Sequence, residues 1–233
     1  MNGFYGNYRG EVIRNDDPLK AGRVKINIFG VYDSLSEEEI PWAIYADSFM
    51  GGSSEAGSIV VPEIGAHVWC FFEGGDHHLP VFWAGAPAVK DNIPDTPEES
   101  RSEESTYPHN KVFKTAGGFV FEIDDSEGNQ RLRIYHPSGS SRMIDNDGNV
   151  SETIVGNKET TLSGDLNETR SGNLNDNVEG DRTMTPGGST PVEAGGDITI
   201  DAGGSTITIS SGGDISIASG GNVVVSGAMI MLN

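Results

Sequence analysis

A glycine falls on every eighth residue from the middle of the chain onward, at Gly148, Gly156, Gly164, Gly172, Gly180, Gly188, Gly196 and Gly204. An eight-residue unit reaches at most about 26 Å when fully extended. After the turn, roughly five residues remain for one short strand. One such strand encloses no core. A chain coiling alone needs about three octads per level, whereas three chains each laying down one face per level build a triangular prism with every strand edge paired. The C-terminal third is therefore expected to be an intertwined trimeric β-helix, a needle.

The side chains between the glycines keep a two-residue period. Even offsets hold Val150, Ile154, Leu162, Leu166, Leu174, Val178, Ile198 and Ile200, while odd offsets hold residues such as Ser151, Thr153, Thr161, Asn167 and Thr169. Between Gly196 and Gly213 the ladder slips by one residue and the apolar row slips with it, staying in phase with Gly213 and Gly221. The expected needle core is Ile198, Ile200, Ile207, Ile209, Ile215, Ile217, Val223 and Val225. The same row contains Glu152, Lys158, Glu168, Arg170 and Asp176, so some levels must hold ion pairs or water inside.

The formal charge is −20 over 233 residues. A trimer triples it, and such a surface is repelled by nucleic acid and by phosphate-bearing membranes, so neither is an expected stable partner. The single cysteine, Cys70, lies in an apolar run and is expected to be a buried core thiol rather than part of a disulfide framework. No charged-then-apolar leader opens the sequence and no run approaches eighteen apolar residues. The chain is expected to be made in a host cytoplasm and to leave by a route other than a signal peptide.

Residues 1–88 break into short runs separated by Gly, Pro and Asp turns. The predicted strands are 9–14, 23–29, 42–46, 59–61, 67–72 and 81–83, with Val24, Ile26 and Ile28 alternating against Arg23, Lys25 and Asn27. Short strands without a convincing helix imply a small closed barrel, of which the OB fold is the commonest. Residues 89–110 are acidic and rich in Pro and Ser, with too few apolar residues for a core, and are expected to be a linker. A β-rich connector, 111–145, leads into the octads, 146–233. The chain is thus expected to be all-β, an N-terminal OB-fold barrel followed by the trimeric needle.

Seven phrases occur in the order of one family: Tyr8-Arg9-Gly10-Glu11-Val12, Asp17-Pro18-Leu19, Gly22-Arg23-Val24-Lys25-Ile26, Pro41-Trp42-Ala43, Val61-Pro62-Glu63-Ile64-Gly65, Val68-Trp69-Cys70-Phe71-Phe72, and Glu73-Gly74-Gly75-Asp76 through Pro80-Val81. They resemble the OB domain of the central, cell-puncturing spike of contractile phage tail baseplates and of its secretion-system relative VgrG. A second block, from Gly117-Gly118-Phe119 through Ser138-Gly139-Ser140, is similar to the segment leading into the spike's β-helix. The resemblance implies a homotrimer seated on a baseplate hub through the OB domain, a component of the virion tail or of an equivalent extracellular injection particle. Many VgrG chains begin with a hub-like region, so the hub is expected to be a separate protein here. The family's best-known phage member carries a lysozyme between barrel and needle; here the acidic linker occupies that interval.

Catalysis is not expected. Glycoside hydrolysis wants two carboxylates about 5 to 9 Å apart, one raised in pKa by an apolar pocket, whereas these acids cluster in turns and linker, where they are expected to stay solvated. The serines lack a nucleophile elbow. Asp76-His77-His78 has the residue types of a metal-ligand fragment, but neighbours in a strand point to opposite faces, and a solvated loop is expected. The runs Asp124-Asp125-Ser126-Glu127-Gly128 and Asp145-Asn146-Asp147-Gly148 lack the distal Glu of a calcium loop and suit tight β-turns. Some spikes of the family end in an iron-binding His-x-His pair, but no histidine follows His136, so no metal or other cofactor is expected. The end, Ala228-Met229-Ile230-Met231-Leu232-Asn233, is apolar, and Met229, Ile230, Met231 and Leu232 are expected to seat a separate PAAR-type tip protein.

The expected function is mechanical: a spike driven transiently through the target cell envelope when a tail sheath contracts. The alternative is a trimeric β-helix tailspike or adhesin, which should carry aromatic grooves for glycans. After Tyr135 the sequence has no Phe, Trp or Tyr.

Overall fold

Five N-terminal strands alternate inward and outward side chains and close on themselves. They are β1 (Tyr8–Arg14), β2 (Val24–Ile28), β3 (Trp42–Tyr45), β4 (His67–Phe72) and β5 (Pro80–Gly85). In this computed structural model, which describes residues 3–47, 51–52, 56–102, 106–194, 200, 219–224 and 229, they form a closed OB-like barrel of order β1-β2-β3-β5-β4. The pairs are antiparallel except β3 with β5, which is parallel. Val12, Val24, Ile26, Ile28, Val68, Cys70, Phe72 and Phe82 point inward and are joined by Tyr32, Ile40 and Ala43. Full burial contributes about 1.5–3 kcal/mol for each large apolar side chain. Gly10 in β1 leaves no room for a side chain against β2: a Cβ there would sit 2.4 Å from Ile26 Cγ2 and 2.8 Å from the Asn27 carbonyl oxygen.

Two expectations about the barrel change. Residues 59–61 form no strand, and Ile59 and Val60 are exposed. The pairing of β1 with both β2 and β4 already closes the barrel, leaving that run no edge to join. Lys25, expected outward, is buried: its Nζ lies 5.7 Å from the centre of the Trp42 ring and donates to the Glu37 carbonyl at 2.5 Å. A buried ammonium is tolerated because it finds an acceptor.

Residues 89–110, expected as a linker, carry a small hairpin and a 3-10 turn, Glu98–Ser100. The hairpin is β6 (Val89–Lys90) with β7 (Ile93–Pro94), turned by Asp91 and Asn92 at φ 52° and 64°, the left-handed pair of a type I′ turn. An antiparallel meander follows: β8 (Asn110–Lys114), β9 (Val120–Asp124), β10 (Arg131–Tyr135), β11 (Ser141–Ile144) and β12 (Val150–Thr153). The chain divides into two units, Met1–Asp165 and Leu166–Asn233. The described residues of the second unit are all exposed and carry no strand.

Candidate functional site

The meander has two faces, and register assigns every side chain to one of them. One face aligns Asn110, Asp124 and Arg131 in one row, and Val112, Glu122 and Arg133 in the next. Glu122 and Asp124 are each 1 % exposed. Arg131 Nη2 lies 2.7 Å from Glu122 Oε1 and 3.4 Å from Asp124 Oδ2, while Arg133 Nη2 lies 2.8 Å from Glu122 Oε2 as an ion pair outside hydrogen-bonding geometry. The preceding segment clasps this face. Thr106 Oγ1 donates to Asp124 Oδ1 at 2.7 Å, Asn110 Nδ2 donates to the Glu99 carbonyl at 2.9 Å, and Lys114 Nζ lies 2.7 Å from Glu99 Oε1. Burial works against the Asp124 carboxylate, but the bonds from Thr106 and Ser126 and the Arg131 charge outweigh it and draw its pKa down to about 2.

The opposite face is apolar and bare. Lys111, Ile123, Leu132, Ile144 and Val150 align in one row, and Phe113, Phe121, Ile134, Arg142 and Glu152 in the next. Phe113, Phe121, Ile123, Ile134, Ile144 and Val150 are between 38 % and 58 % exposed. Soluble monomers rarely leave so many neighbouring large apolar side chains open, and such patches mark interaction sites. Among the described residues, the sheet thus covers its charges with its own chain and leaves its hydrophobic side about half exposed.

That bare face meets the first octad. Val150 and Glu152 project from it, and two residues on stands Ile154, the next member of the even row. Gly148 closes the turn between β11 and β12 at φ 81°, where only glycine avoids strain. Asp145 completes the turn by accepting from the backbone N–H groups of Asp147 and Asn149 at 3.0 and 2.9 Å. Gly156, Gly164, Gly172, Gly180, Gly188 and Gly221 are exposed, whereas Gly196, Gly204 and Gly213 lie outside the described residues. Ile154, Leu162, Leu166, Leu174 and Val178 are 41–72 % exposed. Even-row charges pair with one another: Lys158 with Glu152, Arg170 with Glu168, and Arg182 with Asp176 at 2.8 Å. Of the expected needle core, Ile200 and Val223 are exposed, and Ile198, Ile207, Ile209, Ile215, Ile217 and Val225 lie outside the described residues. Met229 is exposed; Ile230, Met231 and Leu232 lie outside them.

The expectation that the acids are solvated does not hold throughout. Besides Glu122 and Asp124, Asp17 is buried in the loop between β1 and β2, where it accepts from the Leu19 and Ala21 amides and from Arg23 Nη2 at 2.6 Å. The Arg23 guanidinium above all, helped by those amides, outweighs the cost of burial and holds the Asp17 carboxyl well below the usual carboxylate range. Cys70 is fully buried in β4, and burial pushes its thiol up to about 12. Asp76, His77 and His78 stand exposed in the turn between β4 and β5. The bare-face residues Phe113, Phe121, Ile123, Ile134 and Ile144 are not singled out by sequence; their signal is the alternation Phe121-Glu122-Ile123-Asp124, which does not say which side is covered.

Residues 8–86, the barrel from β1 through β5, match the family described as the type VI secretion system/phage-baseplate injector OB domain. The barrel is thus similar to the OB domain of phage-baseplate and type VI secretion injectors. Protein Gp5 of Vibrio phage KVP40 is 41 % identical to it over 51 residues, which make up 22 % of this chain and 12 % of the phage protein. The matched family is a structural one of the injector baseplate.

Proposed function

We propose that this chain is the central spike of a contractile tail or kindred injection machine, bound to the baseplate hub by its barrel and continuing into a trimeric β-helix. The observation that carries this reading is the bare apolar face of β8–β12, whose row runs on in sequence into the even row of the octads. Two further copies of the chain supply the missing cover: three such faces turned inward close a prism, and the glycine turns form its corners. About ten octads at the ~4.8 Å strand spacing give a shaft of at least ~50 Å. With all backbone groups paired around each level, axial load is shared among many hydrogen bonds.

On sheath contraction the shaft is pushed through the target envelope, and the energy comes from the sheath rather than from chemistry in this chain. Its acidic exterior keeps it from lodging in lipid. Met229, Ile230, Met231 and Leu232 would be covered by a cone-shaped tip protein of the PAAR type. Electron microscopy of the intact particle tests the assignment: density for this chain on the tail axis below the hub supports it, and density on peripheral fibres refutes it in favour of a receptor-binding tailspike.

A further inference from the structure

We propose that the turn Asp76-His77-His78 binds one divalent transition-metal ion, with Zn²⁺ the best match to its donors. Strand alternation would set the two imidazoles on opposite faces, but these residues form a turn, where that rule lapses. One donor atom from each of the three side chains lies within 4.8 Å of the others. The His77 and His78 rings are 3.8 Å apart between centroids. Asp76 Oδ1 lies 3.0 Å from His78 Nδ1 and 4.0 Å from His77 Nδ1.

The backbone of the turn is fixed from beneath. Leu79 N–H donates to the Asp76 carbonyl and Glu73 N–H to the Leu79 carbonyl at 2.9 and 3.0 Å, and Phe4 N–H donates to the Gly75 carbonyl at 2.9 Å. The hydroxyl of Tyr32, a core residue, donates to the His77 carbonyl, and the Phe4 ring packs 5.8 Å from the His77 ring. The metal donors are thus the exposed tips of side chains on a held loop. Zinc bonds of about 2.1 Å in a tetrahedron put donors ~3.4 Å apart, so small side-chain rotations close the set. An open recess of about 600 Å³, lined by Phe4, Tyr5 and Gly75 among others, adjoins the three side chains and leaves room for the waters that complete the shell. Two imidazoles and one carboxylate favour zinc, copper or nickel over calcium or magnesium, which prefer oxygen alone. The site lies wholly on the barrel of one chain and does not depend on assembly.

The test is titration of the metal-free full chain with Zn²⁺ in excess Mg²⁺, which occupies the many surface carboxylates, read by calorimetry and by the histidine-ring NMR signals. The expected result is saturation at one ion per chain, with the His77 and His78 rings shifting while those of His67, His109 and His136 stay in place. H77A and H78A should each weaken binding at least tenfold, and D76N, which keeps the turn, should weaken it as well. Circular dichroism confirms that each variant is folded. Binding unchanged in the H77A/H78A double variant, shifts confined to the other histidines, or no saturable binding would overturn the site.

Discussion

Phe121 and Ile134 face each other across β9 and β10 on the bare side of the meander, and replacing both with alanine tests whether that side is an assembly surface. They are 43 % and 52 % exposed, so about half of each side chain remains to be buried. Full burial is worth about 1.5–3 kcal/mol, which makes the outstanding part about 1 kcal/mol each, about 2 per chain and about 6 over three chains. At 1.4 kcal/mol per tenfold, the trimer dissociation constant should rise by roughly four decades, somewhat less if the two neighbours couple. Neither residue belongs to the barrel core, so barrel unfolding should stay at its wild-type midpoint. Sedimentation equilibrium over a dilution series, with thermal circular dichroism alongside, measures both quantities. A double variant that dissociates like the wild type refutes the reasoning.

Other outcomes follow from single residues. Asp124 has its pKa lowered to about 2 from 3.8; its contribution of roughly 2 kcal/mol is fully present above pH ~4 and is lost as pH falls through 2. An acid titration should therefore show D124N missing part of the wild type's loss of stability over that window, and equal acid slopes would contradict the assignment. Replacing Gly148 by alanine forces φ near 81° on a residue with a Cβ, and should cost about 1–2 kcal/mol in chemical denaturation, where no loss would argue against a left-handed turn. The Cys70 thiol should resist a thiol reagent at pH 8 until denaturant is added; rapid labelling of the folded protein would place it at the surface. Asp17→Asn should lower the barrel's melting temperature by loosening the loop before β2, and an unchanged midpoint would show that Arg23 and the amides are satisfied without the carboxylate.

The barrel is largely legible in the sequence because its strands obey one local rule, burial at every second residue, as Val24, Ile26 and Ile28 show. Residues 59–61 satisfy the same composition yet form a loop, since strand formation also needs a vacant edge, which no local pattern reports. The clasp from Glu99 and Thr106 onto β8 and β9 joins residues 15 and 18 apart and leaves no periodic trace. The meander is the more instructive case. Alternation separates Phe121 and Ile123 from Glu122 and Asp124 correctly, but the usual inference would bury the apolar pair, and this chain alone buries the acids. Which face finds cover within the chain is decided by Arg131, Arg133 and the preceding segment. The histidine pair stands exposed in a turn, as its hairpin-tip position implies, but the approach of its three donor atoms to within 4.8 Å leaves no trace in a local pattern.

Native mass spectrometry of the full chain, repeated after exposure to SDS without boiling, tests most directly whether the octads are shielded by neighbouring copies. A species at three times the chain mass of 24.7 kDa that survives the detergent is the predicted result. A single chain of 24.7 kDa before any detergent is added would contradict the account.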